Sequence, residues 1–520
     1  MNGNEALPRS LSELLHWRRA HAAGARVIDQ DGRVRVADDW LERVPRIAAG
    51  LHADGVRPGD HVAIWARNSV AWLELWFAAS WLGAVLVPLN HRIAATELAY
   101  VLARGDVRRV YWEPLGVLAD QSALESVVPP GCVSRPLVGG PGADPWADLV
   151  RSEPISSVEE PDAVGVVMFT SGSTGFPKGV MLRPSALIRN AAGLARAWQV
   201  DGRDTVLCAN PLFHNGGAVF SHLVSVLAGA DLVVMRHWDP AAAGDLIQSH
   251  QVTVFPTIDT MLRDLLALPD QSRLQSLRVA STAGSRTLFE AIRDAWDCRP
   301  SNVFGLTETS PNVCVGDLAD DDETRLTWVG RPQPGLEVEL RDTDGTVVPA
   351  GSIGEIHVRG WAVTPGYYGD PEATAEAIGA DGFLRTGDLG VWSPDGLLAY
   401  AGRLKRMAKS GGENISLLEV EEEIRTYPGV ADVGVVAVPH DRYGEALVAY
   451  VTGSLDPSEA EALIAYLRER IAHYKVPRRV VVAAGLPRTG SQKVDYVALV
   501  QRARDHRPAS LSPSTAIPTP

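Results

Sequence analysis

Phe169-Thr170-Ser171-Gly172-Ser173-Thr174-Gly175-Phe176-Pro177-Lys178-Gly179-Val180 is the stretch that decides how this chain folds and what it handles. The apolar run Ala163–Thr170 (AVGVVMFT) reads as a buried strand, and it opens directly into this loop. Thr170 to Gly179 holds four hydroxyls, three glycines and one lysine. Glycines let backbone N–H groups turn toward an anion, hydroxyls add donors, and Lys178 supplies charge. The combination suits a polyphosphate cradle. It is not a Walker A loop, because counting GxxxxGK from Gly172 puts Pro177 where the second glycine belongs. A dinucleotide GxGxxG is absent too, so a nucleotide-phosphate site of a third kind is expected.

Outward from this loop, helix-like and strand-like segments alternate. Ala71–Leu82 carries Leu73, Trp76, Phe77 and Trp81 at helical spacing, and Ala84–Val87 follows as a short strand. Asp231–Met235 and Val252–Phe255 are further buried-strand candidates. The fold class expected is α/β: a large N-terminal domain of largely parallel sheets covered by helices. From about Ser352, short strands between Gly and Pro turns predict a small β-rich subdomain. After Arg403 a separate α+β unit is expected, with two or three strands (Val433–Val438, Ala446–Val451, Arg479–Val482) and two helices. Capping boxes at Ser416–Glu419 and Ser458–Glu461 predict the helix starts. The domains are placed at residues 1–403 and 406–505, joined by a hinge at 404–405. The proline-rich 506–520 reads as a disordered tail.

Composition mainly excludes. At 520 residues the chain exceeds one ordinary core. Against 49 basic residues stand 63 acidic ones, a net charge of −14 with dispersed arginines, which argues against a nucleic-acid binder. Only five of the basic residues are lysine (Lys178, Lys405, Lys409, Lys475 and Lys493), so each is a place to look for chemistry that arginine cannot do. Four separated cysteines without a CxxC pair suit a reduced, cytoplasmic protein. No secretory signal is visible in the first 30 residues. Ala71–Leu89, the longest apolar stretch, is interrupted by Glu74, Gly83 and Pro88, so no membrane anchor is expected.

Five motifs together resemble the adenylate-forming superfamily of acyl- and aryl-CoA synthetases, peptide-synthetase adenylation domains and beetle luciferase. They are FTSGSTGFPKGV, Asn302-Val-Phe-Gly-Leu-Thr-Glu308, Arg385-Thr-Gly-Asp388, Gly402–Ser416 (GRLKRMAKSGGENIS) and LPRTGSQK ending at Lys493. The likeness covers about residues 10 to 503 and is closest to acyl- or aryl-CoA ligases. It implies coupling of a carboxylic acid to ATP, giving an acyl-adenylate and pyrophosphate, and then transfer to a thiol.

The resemblance also implies roles. Thr170, Ser171, Gly172, Ser173, Thr174, Gly175 and Lys178 would hold the phosphates. Thr307 would contact the α-phosphate and Glu308 would bind Mg²⁺, a hard cation that prefers oxygen ligands. Asp388 would accept ribose hydroxyls, Arg403 would reach ribose and phosphate, and Phe304 would pack on adenine. Gly284 and Ser285 belong to a small-residue run lining the adenine and acyl sites. Lys493 would bridge the substrate carboxylate and the α-phosphate. Lys405 would be the hinge, and Gly411, Gly412 and Glu413 would line a pantetheine tunnel. Lys409, with Arg406, could meet the phosphates of CoA. The sequence departs from the family at Arg406, Ala408 and Gln492, where Asp, Ile and Gly are common.

Pro211-Leu-Phe-His214-Asn-Gly-Gly217 resembles the acyl-site motif of CoA-forming members, with His214 at the carboxylate end of the pocket. No acidic residue stands ready for an α-ammonium, so a hydrophobic acid is expected over an amino acid. Coenzyme A is the expected thiol acceptor. Loading of an acyl carrier protein is the alternative, and an impaired, non-catalytic relative a third reading. A homodimer fits the resemblance.

Overall fold

Helix Val70–Trp81 shows what the larger part of the chain is built around. Ser69 caps it, its hydroxyl accepting the Trp72 N–H at 3.2 Å, and every residue through Trp81 is buried. A helix apolar on all sides must be covered on all sides. Its one carboxylate, Glu74, is buried with it and is held by Arg43 at 2.8 Å and Arg35 at 3.4 Å. The helix and the strand after it, Val85–Pro88, each lie within a residue of the expected positions.

The structure is a computed structural model that describes residues 6–505 apart from 22–23, 31, 94, 138–145, 147–148, 151–152, 171–176, 411–412, 441–442, 472 and 490–492. Two units are distinguished: one runs to Thr386 and includes Val391–Tyr400, the other comprises Gly387–Gly390 and the chain from Ala401 onward.

The first unit contains two large sheets. One has six strands, in the order Val133–Pro136, Val107–Trp112, His61–Trp65, Val85–Pro88, Val166–Thr170, Lys178–Leu182. All are parallel except the last, which returns antiparallel and sets Lys178 opposite Thr170. The other has nine strands and runs parallel from Arg299–Gly305 through Val279–Thr282, Val254–Pro256, Thr205–Cys208 and Asp231–Val234 to Arg26–Asp29. Antiparallel strands close both of its edges. The expected β-rich subdomain is a four-stranded sheet, Leu336–Arg341, Ile353–Gly360, Leu384–Trp392 and Leu398–Arg403.

The second unit is richer than expected. It has five strands, because Met407–Ser410 and Glu413–Ser416 form a hairpin that apolar patterning did not reveal. Among the described residues its helices are Leu417–Arg425, Ala460–Arg468 and Tyr496–Asp505. Ser416 caps the first as expected. The cap expected at Ser458 is instead Asp456, whose carboxylate accepts the Ser458 N–H at 2.9 Å while Glu459 accepts the Asp456 N–H at 2.7 Å. Pro457 explains the shift, since proline fits the first position after a cap and starts the turn there. Residues 506–520, expected as a tail, lie outside the described residues.

Candidate active site

Two strands bring together the stems of the loop expected to hold phosphate. Thr170 ends Val166–Thr170 and Lys178 begins Lys178–Leu182, and the two are register partners across the ladder. Ser171, Gly172, Ser173, Thr174 and Gly175 lie outside the described residues. The loop is therefore slung between antiparallel strands, whereas a Walker loop leads from a strand into a helix.

Beside the Lys178 strand stands the turn Thr307–Thr309, which carries Thr307 and Glu308, both half-buried. The turn is built by its own hydroxyl: Thr309 Oγ1 accepts the Leu306 N–H at 2.9 Å and donates to the Pro311 carbonyl at 2.8 Å. Gly305 of the same motif is required by space. A Cβ there would sit 1.9 Å from the Pro311 carbonyl oxygen.

Tyr367 ties strand and turn together, and sequence reasoning missed it. Its hydroxyl donates to Glu308 Oε1 at 2.9 Å, and the Lys178 ammonium lies 5.1 Å from its ring centroid. Burial, and then the Glu308 charge, push the phenol's pKa up, so it remains a donor. Backbone bonds hold this segment in place, Tyr368 N–H to the Gly179 carbonyl at 2.7 Å and Thr364 N–H to the Glu308 carbonyl at 2.8 Å. The sequence context of Tyr367, the turn Pro365-Gly-Tyr-Tyr-Gly-Asp370, marks a turn and not a site.

Glu308 fits the expected cation. Among the described residues no group of three or more His, Cys, Asp or Glu could form an all-protein metal cage. One carboxylate with an open coordination sphere suits Mg²⁺, which usually binds through one or two carboxylates and substrate phosphates.

The small-residue run ends the strand Val279–Thr282, and the Gly284 carbonyl accepts from Asn302 Nδ2 at 3.3 Å. Ser285 has a structural task besides its expected one, capping helix Arg286–Trp296 by accepting the Leu288 N–H. Phe304 is only 6% exposed and packs among Val313, Leu340, Ile356 and Leu398, with Tyr400 at 5.9 Å. Little of its ring is left open for adenine.

His214 is exposed, and its carbonyl accepts the N–H groups of Gly217 and Ala218. The next segment, Gly216–Leu223, is a π-helix, a rare geometry that is frequent at functional sites and that periodicity did not reveal. Gly217 is required here, because a Cβ would lie 2.6 Å from the carbonyl oxygens of both Asn210 and Pro211. Asn68 pins the turn, donating to the Asn210 carbonyl and accepting the Leu212 N–H.

In the second unit Asp388, Arg403 and Lys493 come together, although they are far apart in sequence. Arg403 Nε donates to Asp388 Oδ1 at 2.9 Å, and Asp388 is 1% exposed. Lys493 keeps open surface, yet protein crowding its ammonium removes water and lowers its pKa. Arg403 lowers it further and Asp388 opposes both. Lys405 lies in the turn Leu404–Arg406, and Lys409 and Glu413 lie in the facing strands of the 407–416 hairpin. Gly411 and Gly412 are outside the described residues. Lys475 pairs with Glu419 at 2.5 Å. The structure corrects one expectation. Arg406 does not offer itself to CoA phosphates but turns inward to Glu421 at 2.6 Å, because that buried carboxylate needs a cation.

Residues 19–368 match the family described as AMP-binding enzyme, and 419–493 match the AMP-binding enzyme C-terminal domain. The chain belongs to the AMP-binding enzyme family. Members similar to it include a methyl-dioxo-octahydroindenyl-propanoyl:CoA ligase of Rhodococcus jostii, 36% identical over 92% of this chain and 96% of the relative. A feruloyl-CoA synthase of Amycolatopsis is also 36% identical, over 90% and 94% of the two chains. Among solved structures, ATP-bound MatB from Rhodopseudomonas palustris superposes with a TM-score of 0.86 at 26% identity, covering 95% of this chain and 99% of that one. This AMP-binding enzyme is an acid–thiol ligase of the acyl-CoA synthetase class, an ATP-dependent enzyme.

Proposed function

We infer that this AMP-binding enzyme activates a hydrophobic carboxylic acid as its acyl-adenylate, releasing pyrophosphate, and passes the acyl group to coenzyme A. The observation that carries this reading is the convergence of Thr170, Lys178 and Glu308, through Tyr367, at the stems of one loop. Positioning and charge neutralisation supply most of the catalysis in such phosphoryl chemistry. The loop from Thr170 to Gly175, with Lys178, holds the triphosphate, and Thr307 contacts the α-phosphate. Glu308 holds Mg²⁺, which when bound neutralises phosphate charge.

Lys493 stabilises the charge that develops between the carboxylate and the α-phosphate. Asp388 and Arg403 address the ribose, and Gly284, Ser285 and Phe304 border the base. His214 stands at the carboxylate end of the acyl pocket. Lys405 serves as the hinge, and Gly411, Gly412 and Glu413 line the path of the thiol. The domain limits follow, at 1–403 and 406–505. We take the acid as hydrophobic because Phe220 and Val303, beside the motif residues, are apolar. Free cysteines at 132, 208, 298 and 314 suit the reducing cytoplasm.

The test is pyrophosphate release with ATP and a panel of aromatic, polycyclic and aliphatic acids, with either CoA or a phosphopantetheinylated carrier protein as acceptor. Release with CoA thioester formation is expected. Thioester on the carrier alone would reassign the acceptor, and an acid-independent background throughout would overturn the reading.

A further inference from the structure

The surroundings of Arg406 give it a task that the motif does not predict. It follows Lys405 directly, in the turn Leu404–Arg406. Its Nη2 donates to Glu421 Oε1 at 2.6 Å, and its guanidinium carbon lies over the Tyr496 ring, 3.8 Å from the centroid. Glu421 is 1% exposed and has several partners. Oε1 also accepts the Val435 N–H at 2.7 Å, and Oε2 accepts the Tyr496 hydroxyl at 3.3 Å, with Arg425 at 3.9 Å. A planar guanidinium that is both held over a ring and hydrogen-bonded has few orientations open to it. Pairing with Arg406 is also what makes a buried Glu421 tolerable.

Tyr496 opens the last helix, three residues after Lys493. The described residues on either side of Lys493 are tied to one another. Thr489 N–H donates to the Lys493 carbonyl and Asp495 N–H to the Pro487 carbonyl, both at 2.8 Å. The chain before Lys493 is anchored by the Arg488–Asp432 ion pair. The chain after it runs into Asp495, which accepts the Ala498 N–H at 3.0 Å, and then into Tyr496. That end is held by the Arg406–Glu421 pair. A turn of the final helix about its axis would swing Lys493, and the guanidinium against the Tyr496 ring opposes such a turn.

We propose that Arg406 is a positioning residue for the adenylation step, clamping the Lys493 loop through Glu421 and Tyr496 to the start of the second unit. The proposal rests on the reading of Lys493 as the lysine of that step.

The test separates the two half-reactions in the full-length enzyme. ATP–pyrophosphate exchange and thiol transfer from a chemically prepared acyl-adenylate are measured for Arg406→Met, Arg406→Lys and Tyr496→Leu, with Lys493→Ala as reference. Arg406→Met and Tyr496→Leu are expected to lower the kcat of exchange about tenfold, with KM for ATP and the rate of thiol transfer within about twofold; one tenfold step is about 1.4 kcal/mol of transition-state positioning. Arg406→Lys recovers part of the loss, having charge but no flat fork. Because Arg406→Met leaves a buried carboxylate with only the more distant Arg425 as cation and can unfold the domain, the double variant Arg406→Met/Glu421→Met is included, and it too should lose exchange selectively. Exchange at the wild-type rate in either folded variant overturns the clamp, as does an equal fall in both half-reactions. Normal exchange in Lys493→Ala would instead overturn the assignment of the lysine.

Discussion

Lys493 and Tyr367 each carry a consequence for ATP–pyrophosphate exchange. Lys493 stood out as one of five lysines in an arginine-rich chain, at the end of a family motif. Lys493→Ala is expected to lower ATP–pyrophosphate exchange by roughly 3–4 kcal/mol of transition-state stabilisation while sparing thiol transfer from preformed adenylate. Desolvation, reinforced by Arg403, holds its pKa below the ordinary lysine value. The active ammonium is therefore lost as pH rises, and the exchange profile should have a basic limb below that value, absent from the residual rate of the alanine variant. Tyr367 could not be singled out, because a tyrosine in a Gly/Pro turn is ordinary and its partner Glu308 is 59 residues away in sequence. Tyr367→Phe removes a hydrogen bond to a charged group, worth about 1.5–3 kcal/mol. It is expected to raise the Mg²⁺ concentration needed for half-maximal exchange about tenfold or more, read from a metal titration; an unchanged titration would mean Glu308 needs no such support.

At the scale of elements, the turn after strand Arg299–Gly305 and the π-helix Gly216–Leu223 bring motif residues into position, and both depend on a glycine with no room for a side chain. Gly305→Ala would drive a methyl group into the Pro311 carbonyl and shift the Thr307–Glu308 turn. Overpacking of this kind costs typically 1–3 kcal/mol. The expected outcome is a lower thermal midpoint together with exchange reduced more than tenfold. Full exchange in a Gly305→Ala enzyme would show that the turn can relax without moving Glu308. Helices were legible at this scale because their apolar spacing and caps are local. The π-helix and the 407–416 hairpin were not: one is a register shift that packing imposes, and the other is a short pairing of mixed polarity.

For the whole molecule, two histidines with depressed pKa values contribute to the acid response. His222 is fully buried among Trp40, Trp76 and Phe77, and desolvation, with Arg18 adding to it, lowers its pKa well below the ordinary value. His91 is lowered to about 4 by burial and then by Arg92 and Arg67. Both are neutral when folded, whereas in the unfolded chain they take up protons near pH 6.5. The unfolded state therefore binds more protons below that pH. The full stability is present above about pH 6.5 and falls as pH drops toward 4, by about 1.4 kcal/mol per pH unit for each histidine. Denaturant unfolding of His222→Phe across this range should show a shallower slope than the wild type by one proton; equal slopes would mean that His222 is protonated inside the fold.

The order of motifs along the chain was enough to indicate the α/β class, the presence of two units and the family, because each of these is carried by local residue pattern and spacing. Tertiary structure alone decided which distant residues serve one another. It set Tyr367 against Glu308 and Lys178, brought Asp388 to Arg403 and Lys493, and turned Arg406 from an expected phosphate contact into the partner of a buried Glu421. The physical reason is common to all three. A charge or hydroxyl in a folded chain takes its meaning from the partner that satisfies it out of water, and sequence separation says nothing about which partner that will be.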